Sequence, residues 1–434
     1  MIYRFIAFLL GMTGDIFYRR VTLGHTVPEE GPVLILANHP NALADPVVLA
    51  RITPRPQRAL AKEPLFHFPV FSWVLRGVGA IPVFRAQDGF DTNKNDRVFD
   101  AVLDTLEKGE VITLFPEGIS HHLPGLQPLK TGAARMAMRA VQAGGEAARV
   151  KIVPVGLTFR NKPAFRSDVL IHIGESISAA DYLASLGAEV SEKDAIRKLN
   201  QTIFERIQSL IIDLEHWEDV PLVELAALLS AGGASDPLMP VRMTNAAKQL
   251  HAQEPQKLAT MKDKLGRLST TLRERGLDAS HLSLRFTPAA VAIYLLRHVL
   301  AFLIGTPIAA MGALIYGIPY LILRWLPALL KVVPDAVATV RIFGAVALFI
   351  PWQFALALWL HSTLPMSVAL TASIVMPFTG LYAHAFVRRR KRMWQDGRAF
   401  LHLLLRPRLR KHLYEEKKAL EHELQKVAST LAPA

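Results

Sequence analysis

Three stretches of this chain, 299–323, 342–360 and 364–387, contain no Asp, Glu, Lys or Arg. Each is long enough to cross a bilayer core of about 30 Å as a helix. Backbone in hydrocarbon must satisfy its own polar groups, so helices are the expected form. Pro307, Gly312 and Pro319 interrupt the first stretch, which predicts a kinked span or a re-entrant hairpin there. RRRKR at 388–392 abuts the third. A basic block in that position marks a cytoplasmic end and reads as a topology anchor rather than a ligand site. With the soluble part on the same face, the expectation is an even number of crossings between 286 and 388, the first stretch not crossing fully.

The rest of the composition points to lipid. The chain carries a formal net charge of +13 and is 51% hydrophobic. That charge suits either nucleic acid or anionic lipid. No nucleic-acid-binding signature accompanies it, and the apolar stretches favour lipid. No cysteine is present, which excludes disulfides, thiolate metal sites and a Cys nucleophile and fits a reducing compartment. The N-terminus, MIYRFIAFLLGMTGDIFYRR, has a short apolar run without a small-x-small cleavage site. It is expected to be a helix lying on the membrane, with Phe5, Phe8, Leu9 and Phe17 as greasy contacts.

From Pro32 to Glu175 short Val/Ile-rich runs alternate with helical patterns. VLILA (33–37), GAIPVF (79–84), VITLF (111–115), KIVPVGLTF (151–159) and VLIHIG (169–174) read as strands, with helices over 93–107 and 131–143. This alternation predicts an α/β domain with a largely parallel, buried sheet flanked by helices. Ile196, Leu199, Ile203, Ile207 and Leu210 recur at spacings of three and four, predicting an amphipathic helix over 191–215. The expected divisions are a membrane-surface helix (1–20), a catalytic domain (21–215), a helical connector (216–286), a transmembrane region (287–392) and a charged C-terminal helix (393–434) suited to a membrane surface.

Four segments fall at strand ends. ANHPNALADP places His39 and Asp45 after the first strand. His suits proton abstraction near neutral pH, and a carboxylate on its far nitrogen would fix the tautomer. GAIPVFR ends in Arg85, whose guanidinium offers a fork of donors for phosphate. FPEGIS presents Glu117 at a turn built by Pro116 and Gly118. His121, His122, Lys130 and Arg135 follow it. The adjacent His pair points apart along the chain and has no further spaced ligands, so no metal is expected. Lys130 and the helix N-terminus after it are suited to a phosphate. IVPVGL (152–157) has no reactive side chain and is expected to shape a pocket or acyl tunnel.

The order NH…D, G-x-I-P-V-x-R, FPEG, VPV resembles the four-block pattern of the glycerolipid acyltransferases, over roughly residues 20–215. Two departures stand out. Five residues separate His39 from Asp45 where four are usual, and Ile119-Ser120 replaces the usual Thr-Arg. FPEGISHHLPGLQPLK looks more like the fungal glycerol-3-phosphate/dihydroxyacetone-phosphate branch, which shares the longer first block. The resemblance implies a twisted α/β sheet followed by a membrane region, and direct acyl transfer from a thioester to a hydroxyl. It implies His39 as base and Asp45 as its orienter. Arg85 and Lys130 would hold phosphate, with Arg135 a lesser candidate. Glu117, Gly118 and Ser120 would position the acceptor. It implies no bound cofactor, with acyl-coenzyme A or acyl-carrier protein as donor substrate. The implied partners are membrane lipids and a glycerol phosphate or lysophospholipid acceptor, not nucleic acid. The protein is expected to be integral to the membrane, its catalytic domain facing the cytoplasm (the inner membrane in a bacterium). Two alternatives stay open: a lysophosphatidic acid or other lysophospholipid acceptor, or an inactive membrane scaffold or lipid carrier. Intact His39–Asp45 and FPEG blocks argue against the last.

Overall fold

The structure is a computed structural model and describes residues 2–84, 95–187, 189–230, 236–283 and 288–431. The chain forms two compact units, one of Met1–His216 with Val332–Ile342, the other of Trp217–Lys331 with Phe343–Ala434.

In chain order the first unit holds α1 (Ile2–Phe17), β1 (Tyr18–Gly24), β2 (Val33–Ala37), α2 (Ala44–Leu49), β3 (Gln57–Lys62), α3 (Pro69–Gly77), β4 (Ile81–Val83), α4 (Asn95–Glu107) and β5 (Val111–Leu114). These are followed by α5 (Gly132–Ala143), β6 (Lys151–Phe159), β7 (Ser167–Ile173), β8 (Ile177–Ser178), α6 (Ala179–Ser185) and α7 (Glu192–Gln208). The strands make one sheet in the order β1-β7-β6-β2-β5-β3-β4, with β8 on β6. β2 pairs in parallel with both β5 and β6. Among the described strands the antiparallel pairings are those of β6 with β7 and with β8. The predicted α/β class with a mainly parallel sheet is the observed one.

The burial explains the centre of the sheet. Every residue of β2 and β5 is buried, as continuous apolar runs must be when helices cover both faces. The core joins Leu34, Leu36, Ile112 and Ile152 to Val102 and Leu106 of α4, Ala133, Ala134, Ala137 and Ala140 of α5, and Leu199, Ile203 and Ile207 of α7. Each fully buried Leu or Ile contributes about 1.5–3 kcal/mol. The alanines let α5 approach the sheet closely. Ser191 caps α7 by accepting the Asp194 amide at 3.2 Å, where the amphipathic pattern begins.

The arrangement places a crevice. From β2 the chain passes beyond β5 to β3, and from β5 it crosses back over β2 to β6. The connection leaving β2 runs toward β3 while that leaving β6 turns back to β7, so the loops part between β2 and β6, the place where open α/β sheets bind ligands.

One expectation for the first unit changes. Phe5 and Phe8 are exposed on α1, together with Met12 and Ile16, and Leu9 is half-buried. Phe17 is 3% exposed and packs edge-on against Tyr18 and Phe165. It is a core residue, not a lipid contact. The segment 152–157 is the buried middle of β6. A Cβ at Gly156 would lie 2.5 Å from the Leu210 carbonyl oxygen, so glycine is required for the chain to pass there.

The second unit is helical: α8 (Val220–Ser230), α9 (Met239–Gln253), α10 (Pro255–Glu274), α11 (Pro288–Leu329), α12 (Val337–Thr363, whose first turn belongs to the first unit), α13 (Met366–Leu404) and α14 (Pro407–Leu431). Among the described residues, three helices are long and apolar enough to cross a membrane, spanning Ala292–Leu329, Pro334–Thr363 and Met366–Leu404. The hairpin path expected for the first is not present. Pro307, Pro319 and Pro327 lie inside one uninterrupted helix. Gly305 fits against Tyr382 and Phe386, and Gly312 against Thr379 and Gly380, so small residues bring α11 onto α13. Leu413, Leu420 and Leu424 of α14 bury their side chains in a core with Leu229, Leu250, Leu265 and Leu268.

Candidate active site

At the end of β2, Asn38 locks its amide onto β6: Nδ2 donates to the Leu157 carbonyl at 3.0 Å, and the Leu157 amide donates to Oδ1 at 2.7 Å. This fixes the direction in which the next residue, His39, leaves the sheet. The His39 ring stacks on Phe115 with centroids 4.2 Å apart. Its Nδ1 lies 2.8 Å from Asp45 Oδ2. The same carboxylate oxygen accepts the Asn41 amide at 2.8 Å. The His39 side chain keeps 19% of its surface exposed, while Asp45 has none.

The extra residue of the first block is absorbed locally. Ala42 has φ 44°, a left-handed conformation that costs a non-glycine residue about 1–2 kcal/mol. That turn lets α2 start at Ala44 and aim Asp45 back at His39. Burial raises the Asp45 pKa, and the hydrogen bond from His39 opposes the rise. The desolvation of a fully buried carboxylate is the larger effect.

Glu117 clamps two loops together. It is 2% exposed. Oε1 accepts the His39 amide at 2.6 Å, and Oε2 accepts the Gln127 amide at 2.9 Å and faces His121 Nε2 at 2.5 Å. Both oxygens are thus engaged by protein donors. Gly118 is left-handed at φ 74°, and a Cβ there would come within 2.9 Å of the Lys130 side chain. The exposed Lys130 lies against this turn and is followed by α5. Arg135, one turn into α5, places its guanidinium 5.3 Å from the Phe99 ring of α4. Ser120 donates to Asp335. Arg85 lies outside the described residues.

Sequence reading missed three residues here. The Tyr18 hydroxyl donates to the Lys162 carbonyl and accepts from Asn41 Nδ2 at 2.9 Å. Lys162 itself is 9% exposed. Burial lowers the pKa of its ammonium, and Asp45, Asp335 and Glu117 oppose this. A polar NAL loop between His39 and Asp45 signalled Asn41 faintly; nothing near Tyr18 or Lys162 in sequence signalled either.

A part-buried His on a buried carboxylate at a strand end, clamped by a second buried carboxylate, can take a proton from a bound hydroxyl. Residues 19–158 match the family described as Acyltransferase. This segment is an acyltransferase domain. Its similarity extends to glycerol-3-phosphate O-acyltransferase 1 of Saccharomyces cerevisiae, 30% identical over 128 residues, which is 29% of this chain and 17% of that protein. It extends also to glycerol-3-phosphate O-acyltransferase 2 of the same yeast, 30% identical over 135 residues, 31% of this chain and 18% of the relative. The matched part thus spans less than a fifth of these yeast proteins. The crystal structure of the 1-acyl-sn-glycerophosphate acyltransferase PlsC from Thermotoga maritima aligns over 48% of this chain and 80% of its own, at 17% identity and a TM-score of 0.36. The acyltransferase domain contains His39, Asp45, Glu117 and Lys130; Lys162 lies just beyond the matched residues.

Proposed function

We propose that the protein is a membrane-bound O-acyltransferase that moves a fatty acyl group from a thioester to a hydroxyl of glycerol 3-phosphate or dihydroxyacetone phosphate. The observation that carries this reading is the His39–Asp45 pair at the crevice, with Nδ1 held on Asp45 and Nε2 left for substrate. The substrate hydroxyl attacks the thioester carbonyl. Its oxygen bonds to the acyl carbon, the carbon–sulfur bond breaks, and Nε2 takes the hydroxyl proton and returns it to the departing thiolate. Asp45 holds the tautomer and balances the imidazolium charge. Lys130, beside the Gly118 turn, supplies the cation for the acceptor phosphate, with Arg85 as the second candidate and Arg135 the lesser one. Glu117 acts through the turn it clamps, and Ser120 belongs to the same acceptor loop. The yeast relatives' names favour glycerol 3-phosphate over a lysophospholipid. Phe5 and Phe8 on α1 and Trp73 on α3 form exposed apolar side chains suited to lipid, where the acyl chain and product reside.

The test is purified full-length protein in detergent, a labelled acyl thioester, and separate reactions with glycerol 3-phosphate, dihydroxyacetone phosphate and lysophosphatidic acid, with His39→Ala as control. The first two acceptors should be acylated by wild type, and the variant should lose about 10²–10⁴ in rate. Acylation of lysophosphatidic acid alone would reassign the acceptor. An active His39→Ala would remove His39 as base.

A further inference from the structure

The segment Val332–Ile342, which follows α11 and includes the start of α12, folds with the α/β unit. Three of its side chains reach three different loops of the site. Ser120, in the loop after β5, donates its hydroxyl to Asp335. The Leu43 amide, between His39 and Asp45, donates to Thr339 Oγ1 at 3.1 Å. Arg341 donates to the carbonyl of Pro163, next to Lys162 in the loop after β6. Each loop leaves a different strand, so one segment fastens the ends of β5, β2 and β6.

Lys162 links this segment to the catalytic pair. Its ammonium lies 3.5 Å from the His121 carbonyl and interacts with Asp45, Asp335 and Glu117. His122 stands near both Lys162 and Asp335. The Lys162 carbonyl is joined through the Tyr18 hydroxyl to Asn41, whose amide holds Asp45. Asp45 Oδ1 and Asn41 Oδ1 are buried without a hydrogen-bond partner. The buried cation is therefore what offsets an otherwise acidic pocket.

We propose that 334–341 is a working part of the acyltransferase site, in which Asp335, Thr339 and Arg341 are positioning residues for its three loops and Asp335, with Lys162, sets the charge around the His39–Asp45 pair. This rests on the function proposed above. Removing the Asp335 charge leaves Lys162 less balanced, so the pair holds a proton less tightly. Removing the Lys162 charge does the reverse. Asp335→Asn should thus move the acid limb of the kcat/KM profile to lower pH, and Lys162→Met to higher pH. Each shift should be roughly half a unit, the size of one partly screened charge nearby. A purely structural role lowers activity without opposite shifts.

Full-length wild type, Asp335→Asn and Lys162→Met are assayed for glycerol 3-phosphate acylation across pH, with thermal unfolding checked for each. A doubly substituted protein, Leu43→Cys with Thr339→Cys, is treated with a short bis-thiol cross-linker; the natural chain offers no competing thiol. The expected results are opposite limb shifts, at least a fivefold loss of kcat for Asp335→Asn, and an intramolecular cross-link. Limb shifts of the same sign, or Asp335→Asn within twofold of wild type with its limb unmoved, overturn the proposal. If either charge variant fails to fold, the cross-link decides: its absence in protein that acylates overturns the proposal. Wild type inactive on every acceptor, with the cross-link present, counts instead against the acyltransferase reading.

Discussion

Replacing Asp45 with Asn separates the charge of the proposed catalytic pair from its geometry. Asp45 Oδ2 accepts both His39 Nδ1 and the Asn41 amide, each at 2.8 Å, while Oδ1 has no partner. The Asn41 amide is a fixed donor, so an Asn side chain must turn its own oxygen toward it. That oxygen then stands where Oδ2 stood and still accepts from Nδ1–H. The tautomer is kept, and only the negative charge is lost. A unit charge about 5 Å from the imidazolium that forms in the transition state is worth about 3 kcal/mol at an effective dielectric constant near 20. The expected loss in kcat is therefore about 10²-fold, at about 1.4 kcal/mol per tenfold. It is severe, but smaller than that of His39→Ala.

Stability should move the other way. Burial raises the Asp45 pKa in the folded protein. A raised carboxyl pKa contributes stability at low pH that is lost as pH rises through the folded value. Asn does not titrate. Asp45→Asn should match wild type in acid and exceed it in Tm toward neutral pH. Thermal unfolding at several pH values, beside single-turnover rates, tests both parts. Inactivation as deep as that of His39→Ala would mean that the amide had flipped and reversed the tautomer. A variant less stable than wild type at neutral pH, by the same margin in acid, would refute the desolvation argument.

Three further outcomes are expected. Ala42→Gly relieves the left-handed turn at φ 44°, but glycine's freer unfolded chain offsets part of the gain; Tm should rise by the equivalent of up to about 1 kcal/mol with activity retained, and a fall would show that the turn is unstrained. Lys130→Ala should raise the KM for glycerol 3-phosphate at least tenfold, the order of one charge-assisted hydrogen bond, and leave that for the thioester near wild type; the opposite pattern would move Lys130 to the donor. Single cysteines at Ser362 and Gln395 should react with an impermeant thiol reagent in intact cells at 362 alone, because the basic block at 388–392 favours the cytoplasmic side for its end of α13; labelling at 395 before lysis would place that block outside and refute the charge argument.

What could be read in advance follows from burial. β2 and β6 were visible because both faces of their middle residues are covered, which forces unbroken apolar runs. β1, YRRVTLG, and β3, QRALAK, went unread because each is only half-buried along most of its length and carries charge. The runs 299–323, 342–360 and 364–387 predicted helices correctly, yet the prolines of the first suggested a hairpin path that α11 does not take. Proline weakens a helix by removing one donor and crowding the preceding turn, but neighbouring helices can sustain it, and α11 continues through three.

The site divides along the same line. His39, Asp45 and Glu117 were legible because short loops at adjacent parallel strands bring them together, and those loops lie within the matched residues 19–158. Lys162 and Asp335 lie outside that span, and their approach depends on the order of strands around β2 and on a chain segment far along the sequence. In the proposed reaction, proton transfer needs only the first group. Under the proposals made above, the second group sets how firmly the pair holds its proton and how the three loops stand around an acceptor. A protein sharing only the matched segment would then share the reaction without sharing the acceptor. Moving 334–341 and Lys162 together should matter more for acceptor choice than exchanging residues within the four motif blocks. The kinetic signature would be changed KM and kcat for competing acceptors, with thioester KM unchanged.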